Sequence, residues 1–122
     1  MRDDFYVYLS GPIAAKYGRT VEQNVADATA VYFRLLQHGI PAHCPHLSAL
    51  CPSAFTAIDY DTWIRYDCAI INRCTHLLLL PRWELSAGAL KEVEHATQRR
   101  IPIIPDEEAL YHLLSEHAAA RL

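Results

Sequence analysis

Leu77-Leu78-Leu79-Leu80, followed after a five-residue gap by Ser86-Ala87-Gly88-Ala89-Leu90-Lys91-Glu92-Val93-Glu94-His95-Ala96, decides how this chain folds. The leucine run closes a segment from Thr75 to Leu80 with no polar alternation at its end. It therefore reads as a central strand buried on both faces of a parallel sheet. Ser86 is a good helix cap, and the residues after it run to about Arg100 without a glycine or proline beyond the first turn. A strand leading into a helix mouth is the junction at which open α/β sheets bind ligands. At that mouth Ser86, Gly88 and Glu92 supply a hydroxyl, a small residue and a carboxylate, a set able to hold an anionic group and a reacting carbon together. The plain alternative is a strand, a turn and a surface helix with solvated glutamates, because every α/β protein has several such junctions.

Working outward, Phe5-Tyr6-Val7-Tyr8-Leu9 is aromatic and β-branched and is stopped by Ser10-Gly11-Pro12, which gives a first strand. Ile13 to Arg19 is a loop carrying Lys16 and Arg19. Thr20 with Gln23 forms a capping box that opens a helix to about His38, with Val21, Val25, Ala28, Val31, Tyr32 and Leu35 at helical spacing and Gly39 as its stop. Ile40-Pro41-Ala42 is a short second strand, and residues 43–57 form a long loop of the kind that is often functional. Asp59 to Asn72 reads as a second helix, Ile101-Pro102-Ile103-Ile104 as a fourth strand and Glu107 to Leu122 as a last helix. Strands alternating with helices imply right-handed crossovers and a parallel sheet. The expectation is one α/β domain over residues 1–122, a flavodoxin/Rossmann-like three-layer sandwich with a four- to five-stranded parallel sheet. The carboxyl ends of its strands, Ser10-Gly11-Pro12, His43-Cys44-Pro45-His46 and Pro81 to Ser86, would then border one crevice.

Composition narrows the functional classes. A net charge of −3 and a pI near 6.1 argue against a nucleic acid polymer as partner, because such binders show a basic face. No apolar run approaches the roughly 20 residues that span a bilayer, so no membrane partner is expected. Met1-Arg2-Asp3-Asp4 is polar and leads into a strand, which gives no sign of a signal peptide and points to a cytoplasmic protein. Cys44, Cys51, Cys68 and Cys74 show no close paired spacing and read as reduced thiols. His43, Cys44, His46 and Cys51 lack the C-x-x-C spacing of structural zinc sites, so no metal is assigned to them.

Three segments in order carry a resemblance. Tyr8-Leu9-Ser10-Gly11-Pro12-Ile13, then Asp67, then Ser86-x-Gly88-x-x-x-Glu92-x-x-x-Ala96 resembles the nucleoside 2-deoxyribosyltransferase-like superfamily over nearly the whole chain. That superfamily includes the nucleoside deoxyribosyltransferases and the nucleoside 5'-monophosphate N-glycosidases. The Gly-x-x-x-Glu-x-x-x-Ala segment behind a strand is its most specific part. Pro81-Arg82-Trp83-Glu84-x-Ser86-x-Gly88 looks most like small phage and bacterial members of uncertain activity.

The resemblance implies that Glu92 is a nucleophile forming a glycosyl ester, that Asp67 holds or protonates the leaving base, and that Tyr8 orients Glu92. Retaining glycosidases use such a carboxyl pair. Each residue also has an ordinary reading: Asp67 as a solvated mid-helix acid, Tyr8 as a core aromatic, Glu92 as a surface group pairing with Lys91 or Arg99. Trp63, four residues before Asp67, shares its helix face and could stack on a base or simply fill the core. Gly11, Pro12 and Ile13 would line the pocket. Ser86 stands where the transferases carry an aspartate for a sugar hydroxyl and the monophosphate hydrolases a serine for phosphate; it could equally be a helix cap. Lys16, Arg19 and Ser10 would add charge and a hydroxyl for that phosphate. Pro12-Ile13-Ala14-Ala15 departs from the glycine- and arginine-rich phosphate loop of the clearest monophosphate hydrolases.

The expected activity is therefore hydrolysis of the base–sugar bond of a (deoxy)nucleoside 5'-monophosphate. The alternatives are base exchange by a nucleoside 2-deoxyribosyltransferase and a non-catalytic nucleotide-binding module. No cofactor is implied, the substrate is a small nucleoside or nucleotide, and the superfamily's usual state is a homodimer.

Overall fold

A computed structural model describes residues 1–55 and 57–120; Thr56 and, at the end of the expected last helix, Arg121 and Leu122 lie outside the described residues. Among the described residues four strands and four α-helices alternate: β1 (Val7–Ser10), α1 (Val21–Gln37), β2 (Ala42–His43), α2 (Tyr60–Ile71), β3 (His76–Leu79), α3 (Ala87–Gln98), β4 (Ile103–Ile104) and α4 (Glu107–Ala120). The strands form one sheet in the order β2-β1-β3-β4, with every neighbouring pair parallel. This is the expected α/β sandwich of flavodoxin/Rossmann-like type, with four strands. Chain order reverses between β1 and β3, and a crevice opens at such a switch point.

Side-chain alternation along the strands builds two cores. Val7 and Leu9 of β1, Leu78 and Leu80 at β3 and Ile104 of β4 pack with Ala28, Val31 and Leu35 of α1 and Leu110 and Leu114 of α4. Tyr8, Leu77, Ile71 and Ala96 pack together on the opposite face, under α2 and α3. Because the period of a strand is two, Tyr8 and Ser10 share one face and both look toward α3.

Helix starts follow the sequence. The Gln23 backbone N–H donates to Thr20 Oγ1 at 3.0 Å and the Thr20 N–H donates to Gln23 Oε1 at 2.9 Å, the reciprocal cap expected before α1. Asp59 accepts the Thr62 N–H at 2.7 Å and opens α2. Gly39 sits at φ +70, a conformation free of Cβ strain only for glycine, and reverses the chain after α1. Two details differ from expectation. The second strand is Ala42–His43 rather than residues 40–42, and the long loop contains a 3-10 helix at Pro45–Leu50 whose first residue has its φ preset by the proline ring. Among the described residues no helix is long and apolar enough to cross a membrane.

Candidate active site

Ala89, Glu92 and Ala96 are the buried residues of α3, spaced three and four apart on its inward stripe. The two alanines are small, so the carboxyl between them is carried in against the sheet. Glu92 is only 5 % exposed and meets two hydroxyls from β1. Tyr8 Oη donates to its Oε2 at 2.5 Å and Ser10 Oγ donates to its Oε1 at 2.8 Å. Both donors are themselves 0 % exposed. Alternation along β1 thus delivers one donor to each oxygen of the same carboxyl.

Burial, helped by the negative charge of Asp67, raises the proton affinity of Glu92, while the Tyr8 and Ser10 hydroxyls oppose that rise by favouring the ionised form. Asp67, on α2, is also raised by burial, an effect that the neighbouring Glu92 and Tyr8 groups offset in part. Two carboxyls so coupled titrate as a pair, sharing protons between them. Burial and both carboxyl charges push the Tyr8 phenol far above its ordinary range, so it stays a donor. The Cys68 thiol next to Asp67 in sequence is raised by burial and by the same two carboxyls, which keeps it unreactive.

The pair opens on a cavity of about 540 Å³, within the size range of small-ligand sites. Gly11, Pro12 and Ile13 form part of its wall where β1 ends; Lys16 and Arg19 reach it from the following loop. Trp63 and Asp67 line it from α2, and Ser86, Gly88 and Glu92 from α3. Ten of the twelve residues expected at the site therefore face one space. Tyr8 and Ser10 stand behind Glu92 instead. Ser10 was expected to offer its hydroxyl to a ligand, but the pleat of β1 turns it onto the carboxyl.

Local geometry refines several roles. Ser86 accepts the Ala89 N–H at 3.1 Å as the cap of α3, which leaves its own hydroxyl proton free to donate into the cavity. A Cβ on Gly88 would have Ile64 Cδ1 at 3.8 Å and Ser86 Oγ and Tyr60 Oη at 3.9 Å, so this glycine leaves room rather than permitting a strained backbone. Gly11 is different: a Cβ there would lie 2.7 Å from Leu80 Cβ, because the ends of β1 and β3 converge at the cavity. Arg19 donates to Asn24 Oδ1 at 3.0 Å and pairs with Asp27, so it is already anchored. His46 is fully buried and neutral, its pKa lowered to about 4 by burial, with Nδ1 3.8 Å from Cys44 Sγ.

Tyr60, Ile64 and Lys91, which the sequence did not single out, also line the cavity, as does Arg82, which it placed at the crevice without a binding role. A signal existed for two of them: Tyr60, Trp63, Ile64 and Asp67 follow the i, i+3, i+4, i+7 spacing of one helix stripe. Lys91 Nζ lies 4.7 Å above the Tyr60 ring and links α3 to the first turn of α2. Arg82 has φ +67 just after β3, a left-handed conformation rare outside glycine, and no pattern in the sequence announces it.

Among the described residues no group of three or more histidine, cysteine, aspartate or glutamate side chains is placed to hold a metal ion. Cys44, Cys51, Cys68 and Cys74 are all free thiols. Comparison with curated proteins and with solved structures finds no match. One family model, described as a domain of unknown function (DUF4406), matches residues 5–105, a span that runs from β1 to β4 and contains every residue of the site above. The chain belongs to the DUF4406 family.

Proposed function

We propose that this protein is an N-glycosidase of the nucleoside 2-deoxyribosyltransferase-like kind, cleaving the bond between base and sugar of a (deoxy)nucleoside 5'-monophosphate. One observation carries the reading. A buried carboxyl, with a hydroxyl donor on each oxygen and a second carboxyl beside it, faces a cavity large enough for a nucleotide. A structural carboxylate would be expected to pair with a cation; this one is held by two neutral donors and another acid.

In the productive form Glu92 is ionised and Asp67 carries the shared proton. A Glu92 oxygen attacks the anomeric carbon as the bond from that carbon to the base nitrogen breaks. The electron pair of the broken bond stays on the base, which takes the proton from Asp67. Asp67, now a carboxylate, accepts a proton from water as the water oxygen attacks the same carbon, and the Glu92 ester bond breaks. The products are free base and sugar phosphate, with both carboxyls returned to their starting state. Tyr8 and Ser10 keep Glu92 oriented and favour its ionised form before attack. Trp63 offers a face for the base, and the cations around the cavity suit a phosphate. With this reading go a homodimeric assembly and a cytoplasmic setting.

The test is a screen of nucleosides and nucleoside monophosphates for base release, with wild type and Glu92→Gln side by side. Wild type is expected to release base, preferentially from a monophosphate. Glu92→Gln is expected to lose at least about 10³-fold in rate while still binding the ligand. Turnover by the variant at the wild-type rate would overturn the mechanism. Adding a second base separates hydrolysis, which yields free sugar phosphate, from exchange, which yields a new nucleotide.

A further inference from the structure

The chain carries a net charge of −3, yet Lys16, Arg19, Arg82 and Lys91 all line the cavity, opposed there only by Asp67 and Glu92. Lys91 rests on the Tyr60 ring and Arg19 is tied to Asn24 and Asp27. Of the four, Arg82 is the one whose side chain carries a buried donor without a hydrogen-bond partner among the described residues. Its backbone is held at φ +67 and ψ 18 between the end of β3 and the 3-10 turn at Trp83–Leu85. Its Nε is buried with no hydrogen-bond partner among the described residues. Its Nη2 reaches only a long contact, 3.4 Å, to Asp27 Oδ2, the same oxygen that Arg19 already engages. Two guanidinium groups therefore share one carboxylate oxygen, so their charge is only partly balanced there, and Arg82 is also a wall residue of the cavity. A non-glycine residue kept in a strained conformation at a ligand cavity is the kind of outlier that marks function. A planar guanidinium with spare donors matches the oxygens of a phosphate better than an ammonium does.

We propose that Arg82, braced against Arg19 through their common partner Asp27, is the seat of the ligand's phosphate group. The inference rests on the nucleotide reading of the site. It assigns the phosphate to the β3 exit, in addition to Ser86. Phosphate binding draws the Arg82 side chain away from its long contact with Asp27 and supplies the missing partners to its donors. The same chemistry would accept inorganic phosphate, so the test includes that ion alone.

Arg82→Gly is the informative variant, because glycine adopts φ +67 without strain and the turn should keep its shape. Calorimetric titration of wild type, Arg82→Gly and Arg82→Lys would use the common deoxynucleoside 5'-monophosphates, the matching nucleosides and inorganic phosphate. Arg82→Gly should raise the Kd of the monophosphate by about 10- to 100-fold, the loss of a charge-assisted contact. The Kd of the nucleoside should stay within about twofold, and Arg82→Lys should fall between, because an ammonium lacks the planar fork. Inorganic phosphate should bind weakly to wild type and lose that binding in Arg82→Gly. Equal weakening of nucleoside and monophosphate, an unchanged monophosphate Kd in Arg82→Gly, or no binding of either phosphate compound to wild type would overturn the inference. The two readings fail separately. Arg82-dependent monophosphate binding without base release removes the glycosidase and keeps the phosphate seat. Base release with equal KM for nucleoside and monophosphate does the reverse.

Discussion

Replacing Tyr8 with phenylalanine deletes one oxygen from the network around Glu92 and leaves the ring packing in place. The lost contact is the 2.5 Å donation to Glu92 Oε2, made between two buried groups. A hydrogen bond to a charged group contributes about 1.5–3 kcal/mol, and one between neutral groups about 0.5–1.5 kcal/mol. The penalty therefore depends on whether Glu92 is ionised. Burial already raises its proton affinity above that of the unfolded chain. Between the unfolded and folded values the native state holds the extra proton, so stability falls as pH rises through that window. Losing the Tyr8 donor raises the folded value further, because the ionised form loses the stronger bond. Below the window Tyr8→Phe should cost about 0.5–1.5 kcal/mol; above it, about 1.5–3 kcal/mol. Tyr8 itself does not titrate in this range, because burial and its carboxyl neighbours hold its proton firmly. Urea unfolding followed by tryptophan fluorescence at pH 5, 7 and 9 measures this difference directly. A cost that does not grow with pH would refute the idea that Tyr8 supports an ionised Glu92.

Two further outcomes follow from the same coordinates. Wild-type activity should be bell-shaped in pH, because only the singly protonated carboxyl pair has both a nucleophile and an acid; Asp67→Asn should remove the alkaline limb and lower kcat by about 10²–10⁴, as read from a pH–rate profile. If Asp67→Asn keeps the wild-type profile, the proton comes from elsewhere. Gly11→Ala should destabilise the protein by about 1–3 kcal/mol in denaturant titration, since its Cβ would lie 2.7 Å from Leu80 Cβ; an unchanged midpoint would show that the strand ends can part freely.

The parts of the fold that were legible are those set by local chemistry. The Thr20–Gln23 box, the Asp59 and Ser86 caps and the apolar run of β3 each have one low-energy reading, and the structure shows all of them. Glu92 shares the inward stripe with Ala89 and Ala96, but in sequence it stood open between a nucleophile implied by the resemblance and a surface partner of Lys91 or Arg99. The orientation of Ser10 followed from the same two-residue period as Tyr8, yet in sequence it lay beside the Gly11-Pro12 turn and suggested a loop donor. Arg19 could not be placed, because its anchors Asn24 and Asp27 lie on the helix that follows and depend on how the loop folds back. Arg82 was least legible of all. Its left-handed backbone, between β3 and the turn into α3, carries no residue-type signature.

The covalent bond to Glu92 is the centre of the account, and it can be weighed. Wild-type protein mixed with a nucleoside monophosphate that it cleaves, quenched rapidly and digested, would be analysed by mass spectrometry. The peptide containing Glu92 should gain the mass of one sugar phosphate less water, and the adduct should vanish as the substrate is exhausted. Base released with that peptide unmodified at every quench time, or an adduct on any other residue, would contradict the mechanism.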